Sequence, residues 1–125
     1  MTSRWQLAAF AVLLQLVTNQ TAADPLPRRI GQCTVTEIKS IGSRLAGNLS
    51  SGSAVTYANG GYQVSYNMIA QITRSRVGDP VRLCLTSLPR DCPKGDDRGK
   101  TYRATNLRTD ESWELPDAAH GCGGA

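Results

Sequence analysis

Four cysteines, Cys33, Cys84, Cys92 and Cys122, all follow an apolar N-terminal segment that has the parts of an export signal. Arg4 supplies a positive start, and Leu7 to Val17 form an apolar run broken only by Gln15. Thr21-Ala22-Ala23 then places small side chains where a signal peptidase reads them, so cleavage before Asp24 is expected. The apolar run is about eleven residues, well below the ~20 that cross a bilayer as a helix. Residues 1–23 therefore read as a secretory signal peptide, expected as an isolated helix, and no membrane span is expected after its removal. A buried N-terminal helix is the competing reading.

Export carries the cysteines into an oxidising compartment, where an even number pairs. The expected localisation is secreted or periplasmic. A small domain buries a limited core and gains from covalent cross-links. Four cysteines allow three pairings. The expected arrangement has Cys84–Cys92 closing a short loop and Cys33–Cys122 tying the chain ends. The pairing Cys33–Cys84 with Cys92–Cys122 stays open.

A chain of 125 residues has room for a single domain. With 19% charged and 40% hydrophobic residues it is neither disordered nor a membrane bundle. A net charge of +4, with no basic run, is too mild to mark a nucleic-acid binder. Residues 24–32, with Pro25, Pro27 and the pair Arg28-Arg29, read as an exposed leader. Residues 33–125 read as a single β domain with a loose C-terminal tail.

Short strands and turns account for that domain. Thr34, Val35, Thr36, Ile38 and Ile41 favour a strand beginning at Cys33. Gly47 to Gly52 reads as a Gly/Asn/Ser loop. Asn59-Gly60-Gly61 lies between the alternating segments Ala54–Ala58 and Tyr62–Tyr66, which marks a hairpin because Asn and Gly tolerate positive φ. Val55 and Tyr57 share one face of the first arm; Tyr62, Val64 and Tyr66 share one face of the return. Met68 to Arg76 fits one or two helical turns. Gly78-Asp79-Pro80 is a turn feeding Val81, Leu83 and Leu85, which alternate with Arg82, Cys84 and Thr86. Pro89 to Gly99 is a loop, and Thr101–Leu107 with Glu111–Leu115 forms a second hairpin. About six short strands make the fold class all-β, a small antiparallel barrel or a sandwich, with the barrel preferred.

Few residues offer chemistry. His120 is the sole histidine, and Asp117 precedes it by three positions in a Gly-rich tail that gives little rigidity. No acid–base constellation is visible, so no catalytic residue is assigned and an enzyme is not expected. Asp91, Asp96 and Asp97 cluster in one loop, but Lys94 and Arg98 interrupt them and the spacing is not that of a calcium loop. No metal and no cofactor is expected. Arg74, Arg76, Arg82 and Arg103 are the anion-binding candidates, because a guanidinium matches carboxylate, sulfate and phosphate. Tyr57, Tyr62, Tyr66 and Tyr102 are available to stack beside them.

The segment Cys84-Leu85-Thr86-Ser87-Leu88-Pro89-Arg90-Asp91-Cys92 resembles the inhibitory nonapeptide loop of Bowman–Birk-type serine protease inhibitors, Cys-Thr-x-Ser-x-Pro-Pro-x-Cys. The resemblance implies a preorganised ring, with Thr86, Ser87, Leu88 and Pro89 as the inhibitory-loop candidates, in which Thr86 fills the protease pocket, Thr86–Ser87 is the reactive bond and Pro89 sets the turn. Leu85 and Arg90 depart from the pattern. The whole chain resembles small secreted four-cysteine bacterial proteins that carry no assigned activity, through the stretch Gly99 to Leu115 and the closing Cys-Gly-Gly-Ala. Ser51-Gly52-Ser53 before Tyr57 is also similar to an element of periplasmic lysozyme inhibitors. The expected function is that of an exported, non-enzymatic binding protein. Its first-choice partner is a hydrolase, a serine protease or a lysozyme, which it inhibits. The alternative partner is an anionic glycan of the cell envelope.

Overall fold

The computed structural model describes Thr2, residues 11–15 and residues 24–124. Residues 11–15 are exposed and form no helix, so the isolated helix expected for the signal segment is not present there. The rest of that segment lies outside the described residues.

Six strands and one helical turn follow in chain order. They are β1 (Cys33–Leu45), β2 (Asn48–Tyr57), β3 (Tyr62–Val64), α1 (Ala70–Thr73), β4 (Pro80–Ser87), β5 (Thr101–Asn106) and β6 (Glu111–Pro116). The strands form one antiparallel sheet in the order β3-β2-β1-β4-β5-β6, so the architecture is all-β with a single sheet rather than a two-sheet sandwich.

β1 is the hinge of this sheet. Its first half, Cys33 to Glu37, pairs with β4, and Ile38 to Leu45 pairs with β2. A register shift falls between Ile38 and Ser40, where the strand changes partner. A bulge there bends the strand and increases its twist. The sheet curls until its two edge strands, β3 and β6, face each other.

Alternation decides what lies inside. Ile38, Val55, Tyr57, Ile72, Val81, Leu83, Leu85, Tyr102, Ala104 and Trp113 form the core. The β4 triplet Val81, Leu83 and Leu85 is buried as its period-two pattern requires. Across the seam the join is made by a side chain, that of Gln63 on β3. Its Nε2 donates to the carbonyls of Tyr102 (2.7 Å) and Leu115 (3.0 Å). Its Oε1 accepts from the Tyr57 hydroxyl (2.6 Å) and the Trp113 indole (2.9 Å). Both donors and both lone pairs of the amide are used, which is the condition for burying it.

Two local expectations change and a third resolves. The return arm of the first hairpin turns Gln63 to the core, while Tyr62 and Tyr66 are exposed. The Gly47–Gly52 loop shrinks to a turn at Ala46-Gly47, because Asn48 to Gly52 belongs to β2. Small residues there serve a close approach. Gly52 adopts φ +118°, and a Cβ on it would stand 1.8 Å from the Ser65 carbonyl oxygen. The ambiguous stretch from Met68 resolves as the single turn α1, which buries Ile72.

Both chain ends are held to the barrel. In the leader, Pro27 is buried and Leu26 packs on the core, with the other residues exposed. Bonds from Gly31 N–H to the Leu85 carbonyl and from Leu85 N–H to the Gln32 carbonyl extend the β1–β4 pairing backwards. The tail expected to be loose is bonded along its course. Asp117 N–H donates to Lys100 O (2.9 Å) and Cys122 N–H to Arg98 O (2.8 Å). In return the Asp117 carboxylate accepts from Gly99 N–H at 2.8 Å.

Candidate functional site

The disulfides are Cys33–Cys84 and Cys92–Cys122, the arrangement the sequence had left open, not the expected Cys84–Cys92 with Cys33–Cys122. The β1–β4 register is the cause, since it sets Cys33 directly opposite Cys84. The nonapeptide is thus not a closed ring. Thr86 and Ser87 belong to β4, and Ser87 pairs with Thr101 of β5. The Thr86 hydroxyl donates to Thr101 O (3.1 Å) and to Glu114 (3.3 Å). Leu88 is exposed and Pro89 half-buried, in the loop that follows.

Ser51, Ser53 and Tyr57, the residues similar to a lysozyme-inhibitor element, are buried. The Ser51 hydroxyl donates to Asn48 O and accepts from Leu45 N–H; the Ser53 hydroxyl accepts from Ile69 N–H. These hydroxyls hold the β1–β2 arm and the β3–α1 connection in place.

Two of the three acidic loop residues, Asp96 and Asp97, are also committed, and Asp91 is exposed. Asp96 accepts from Arg98 and from Gly123 N–H, and these contacts hold its carboxyl below the usual range. Asp97 pairs with Lys100 at 2.8 Å. Among the described residues no cluster of His, Cys, Asp and Glu is placed to hold a metal ion. His120 lies beside Tyr66, its Nε2 3.4 Å from the phenol oxygen, while Asp117 turns instead to Gly99.

One buried polar knot marks the opposite end of the barrel. Asp79 accepts from Arg76 N–H, the Asn106 amide and the Arg108 guanidinium. The hydrogen bond from Arg108 holds its carboxyl well below the ordinary carboxylate range. Asn106, wholly buried, donates to Ser75 and accepts from Arg108 N–H and Thr109 N–H. The knot shapes the β5–β6 turn.

The four arginine candidates separate into two pairs. Arg74 and Arg76 sit around the end of α1, and Arg74 is clamped by Glu111 through Nε and Nη2, closest at 2.7 Å. Arg76 is exposed. Arg82 and Arg103 lie on the outer face of β4 and β5. Arg82 pairs with Thr105 and Arg103 with Cys84, so the two are diagonal neighbours. Diagonal neighbours of this kind are roughly 7–8 Å apart. Both are exposed, and among the described residues neither guanidinium has a hydrogen-bond or ion-pair partner. Around them the same face presents Val35, the Cys33–Cys84 bridge, Thr86, a Thr105–Ser112 hydroxyl pair at 2.9 Å and Glu114.

Of the four tyrosines, Tyr57 and Tyr102 are in the core and cannot stack on a ligand. Tyr66 is half exposed, and Arg44 lies over its ring at 4.1 Å while donating from Nε to Ser51 O. Sequence reasoning missed Arg44, since nothing local links it to Tyr66. An open cleft of about 520 Å³ lies within the leader, lined by Pro25, Leu26, Arg28, Arg29 and Gln32. Comparison of the chain with protein-family models, curated protein sequences and solved structures finds no match.

Proposed function

We propose that the protein is an exported binding module that holds an acidic envelope glycan on the outer face of β4 and β5. The observation that carries this reading is the diagonal pair Arg82 and Arg103, exposed and unpartnered on two fully paired strands. Arg74, Arg98 and Arg108 are each paired with a carboxylate, whereas Arg82 and Arg103 are strand neighbours and neither is in an ion pair among the described residues. Guanidinium forks donate to carboxylate or sulfate in bidentate fashion, and hydroxyls such as Thr105 and Ser112 suit sugar oxygens. A rigid sheet holds these groups in place before the ligand arrives, which lowers the ordering cost of binding. The serine-protease-inhibitor reading needed a ring between Cys84 and Cys92 to hold its loop, and both cysteines are paired elsewhere. Two disulfides suit an oxidising location outside the cytoplasm, periplasmic or secreted.

Retention of the protein on immobilised polygalacturonate, against a neutral glucan column, tests the reading. Arg82→Gln with Arg103→Gln is expected to weaken retention by about tenfold or more at low salt, whereas Arg74→Gln leaves it within about twofold. Equal retention on the neutral column, or an unaffected double variant, overturns it.

A further inference from the structure

The same outer face carries a feature that anion binding does not use. Cys33 and Cys84 stand directly opposite each other on β1 and β4, and Arg103 stands directly opposite Cys84 on β5. Arg82 pairs with Val35, so it is the diagonal neighbour of Cys33 on that face. The disulfide therefore lies beside two guanidiniums, neither of which forms an ion pair among the described residues, with Glu114 opposite Arg103 on β6.

The two disulfides differ in access and in what depends on them. Cys33 is exposed, whereas Cys84, Cys92 and Cys122 are half-buried. On one side of the Cys33–Cys84 bridge, Thr34 to Glu37 pair with Leu83 to Pro80; on the other, Gly31 and Gln32 bond to Leu85. Opening this bridge leaves β1 and β4 held on both sides. Cys92–Cys122 joins a loop and a tail, neither of which belongs to a strand, and it is the covalent link between them.

We propose that Cys33–Cys84 is a thiol–disulfide exchange site for an external dithiol, and that Cys92–Cys122 is the permanent staple. The attacking thiolate forms a bond to Sγ of Cys33, the exposed residue of the pair, and the Sγ–Sγ bond breaks with its electron pair on Cys84. Arg103, opposite Cys84, stabilises that leaving thiolate before it takes up a proton. The second thiol of the reagent, deprotonated, then attacks its own sulfur in the mixed disulfide and expels Cys33 as a thiolate. The protein gains two electrons and the dithiol leaves as a cyclic disulfide. This inference is independent of the glycan reading, because it uses the arginines as a local field and needs no bound ligand.

Limiting dithiothreitol, followed by N-ethylmaleimide trapping and peptide mapping of the oxidised protein, tests it. Cys33 and Cys84 are expected to be labelled about tenfold or more faster than Cys92 and Cys122. Arg103→Gln, checked for an unchanged circular dichroism spectrum, is expected to slow that labelling by about threefold or more. Equal rates for the two bridges, faster opening of Cys92–Cys122, or an Arg103→Gln protein as fast as the parent overturns the proposal. The glycan-retention result has no bearing on any of these outcomes.

Discussion

The Trp113 indole N–H donates to Oε1 of Gln63 at 2.9 Å, joining residues 50 positions apart. Trp113 lies on β6 and Gln63 on β3, the two ends of the strand order, so this bond spans the seam where the curled sheet meets itself. An amide with every donor and acceptor used here replaces part of a backbone ladder. Gln63 is only 1% exposed, and it is the acceptor for both the Tyr57 hydroxyl and the Trp113 indole.

Gln63→Leu keeps much of the volume and removes all four bonds. It leaves the Tyr57 hydroxyl and the Trp113 indole buried without an acceptor, at a cost of roughly 3–5 kcal/mol. Urea unfolding followed by Trp113 fluorescence is expected to show this loss. A midpoint within experimental error of the parent would mean that the seam is held by apolar contact alone.

Two glycines of the β1–β2 arm are expected to respond in opposite ways. Gly52→Ala puts a methyl 1.8 Å from Ser65 O at φ +118°, so β3 must move away from β2. Gly42→Ala meets nothing within 4 Å and carries no positive φ. The first is expected to cost roughly 2–4 kcal/mol and the second less than about 1 kcal/mol in either direction. Paired urea midpoints decide it, and equal shifts would contradict the close approach of the two strands.

Acid sensitivity is expected to centre on Asp79. Arg108 first, with Asn106 and the Arg76 N–H, lowers its folded pKa well below the unfolded value. A depressed carboxyl stabilises the fold above the unfolded pKa of about 3.9, and that stabilisation is lost as the pH falls toward the folded value. Asp79→Asn is therefore expected to be less stable than the parent by roughly 1–3 kcal/mol at neutral pH. The gap between the two should close from about pH 5 down to about pH 2. A constant gap across that range would show that the carboxylate charge is not what the knot uses.

Much of the strand layout was legible from local pattern. Val81, Leu83 and Leu85 alternate, Asn59-Gly60 turns, and Gly78-Asp79-Pro80 starts β4, because each follows from φ preference and side-chain alternation over a few residues. The segment Gly47 to Gly52 misled for the same reason. Its composition reads as a loop, yet the small residues serve a close packing of β2 on Ser65 that no local rule registers. Of the candidate site, Arg82 and Arg103 were visible as arginines. Their common face, and the removal of Arg74 by Glu111 across 37 positions, were not.

The amino-acid order was sufficient to indicate an all-β domain and an even set of cysteines, because alternation, turn chemistry and cysteine count are properties of neighbours and of composition. Tertiary structure alone decided that Cys33 meets Cys84, that Gln63 closes the seam with Trp113, and that two arginines lie beside a disulfide. Those relations depend on strand register and sheet curl. Register is set by burial of one whole face of each strand, a sum over distant contacts that is written in no single segment.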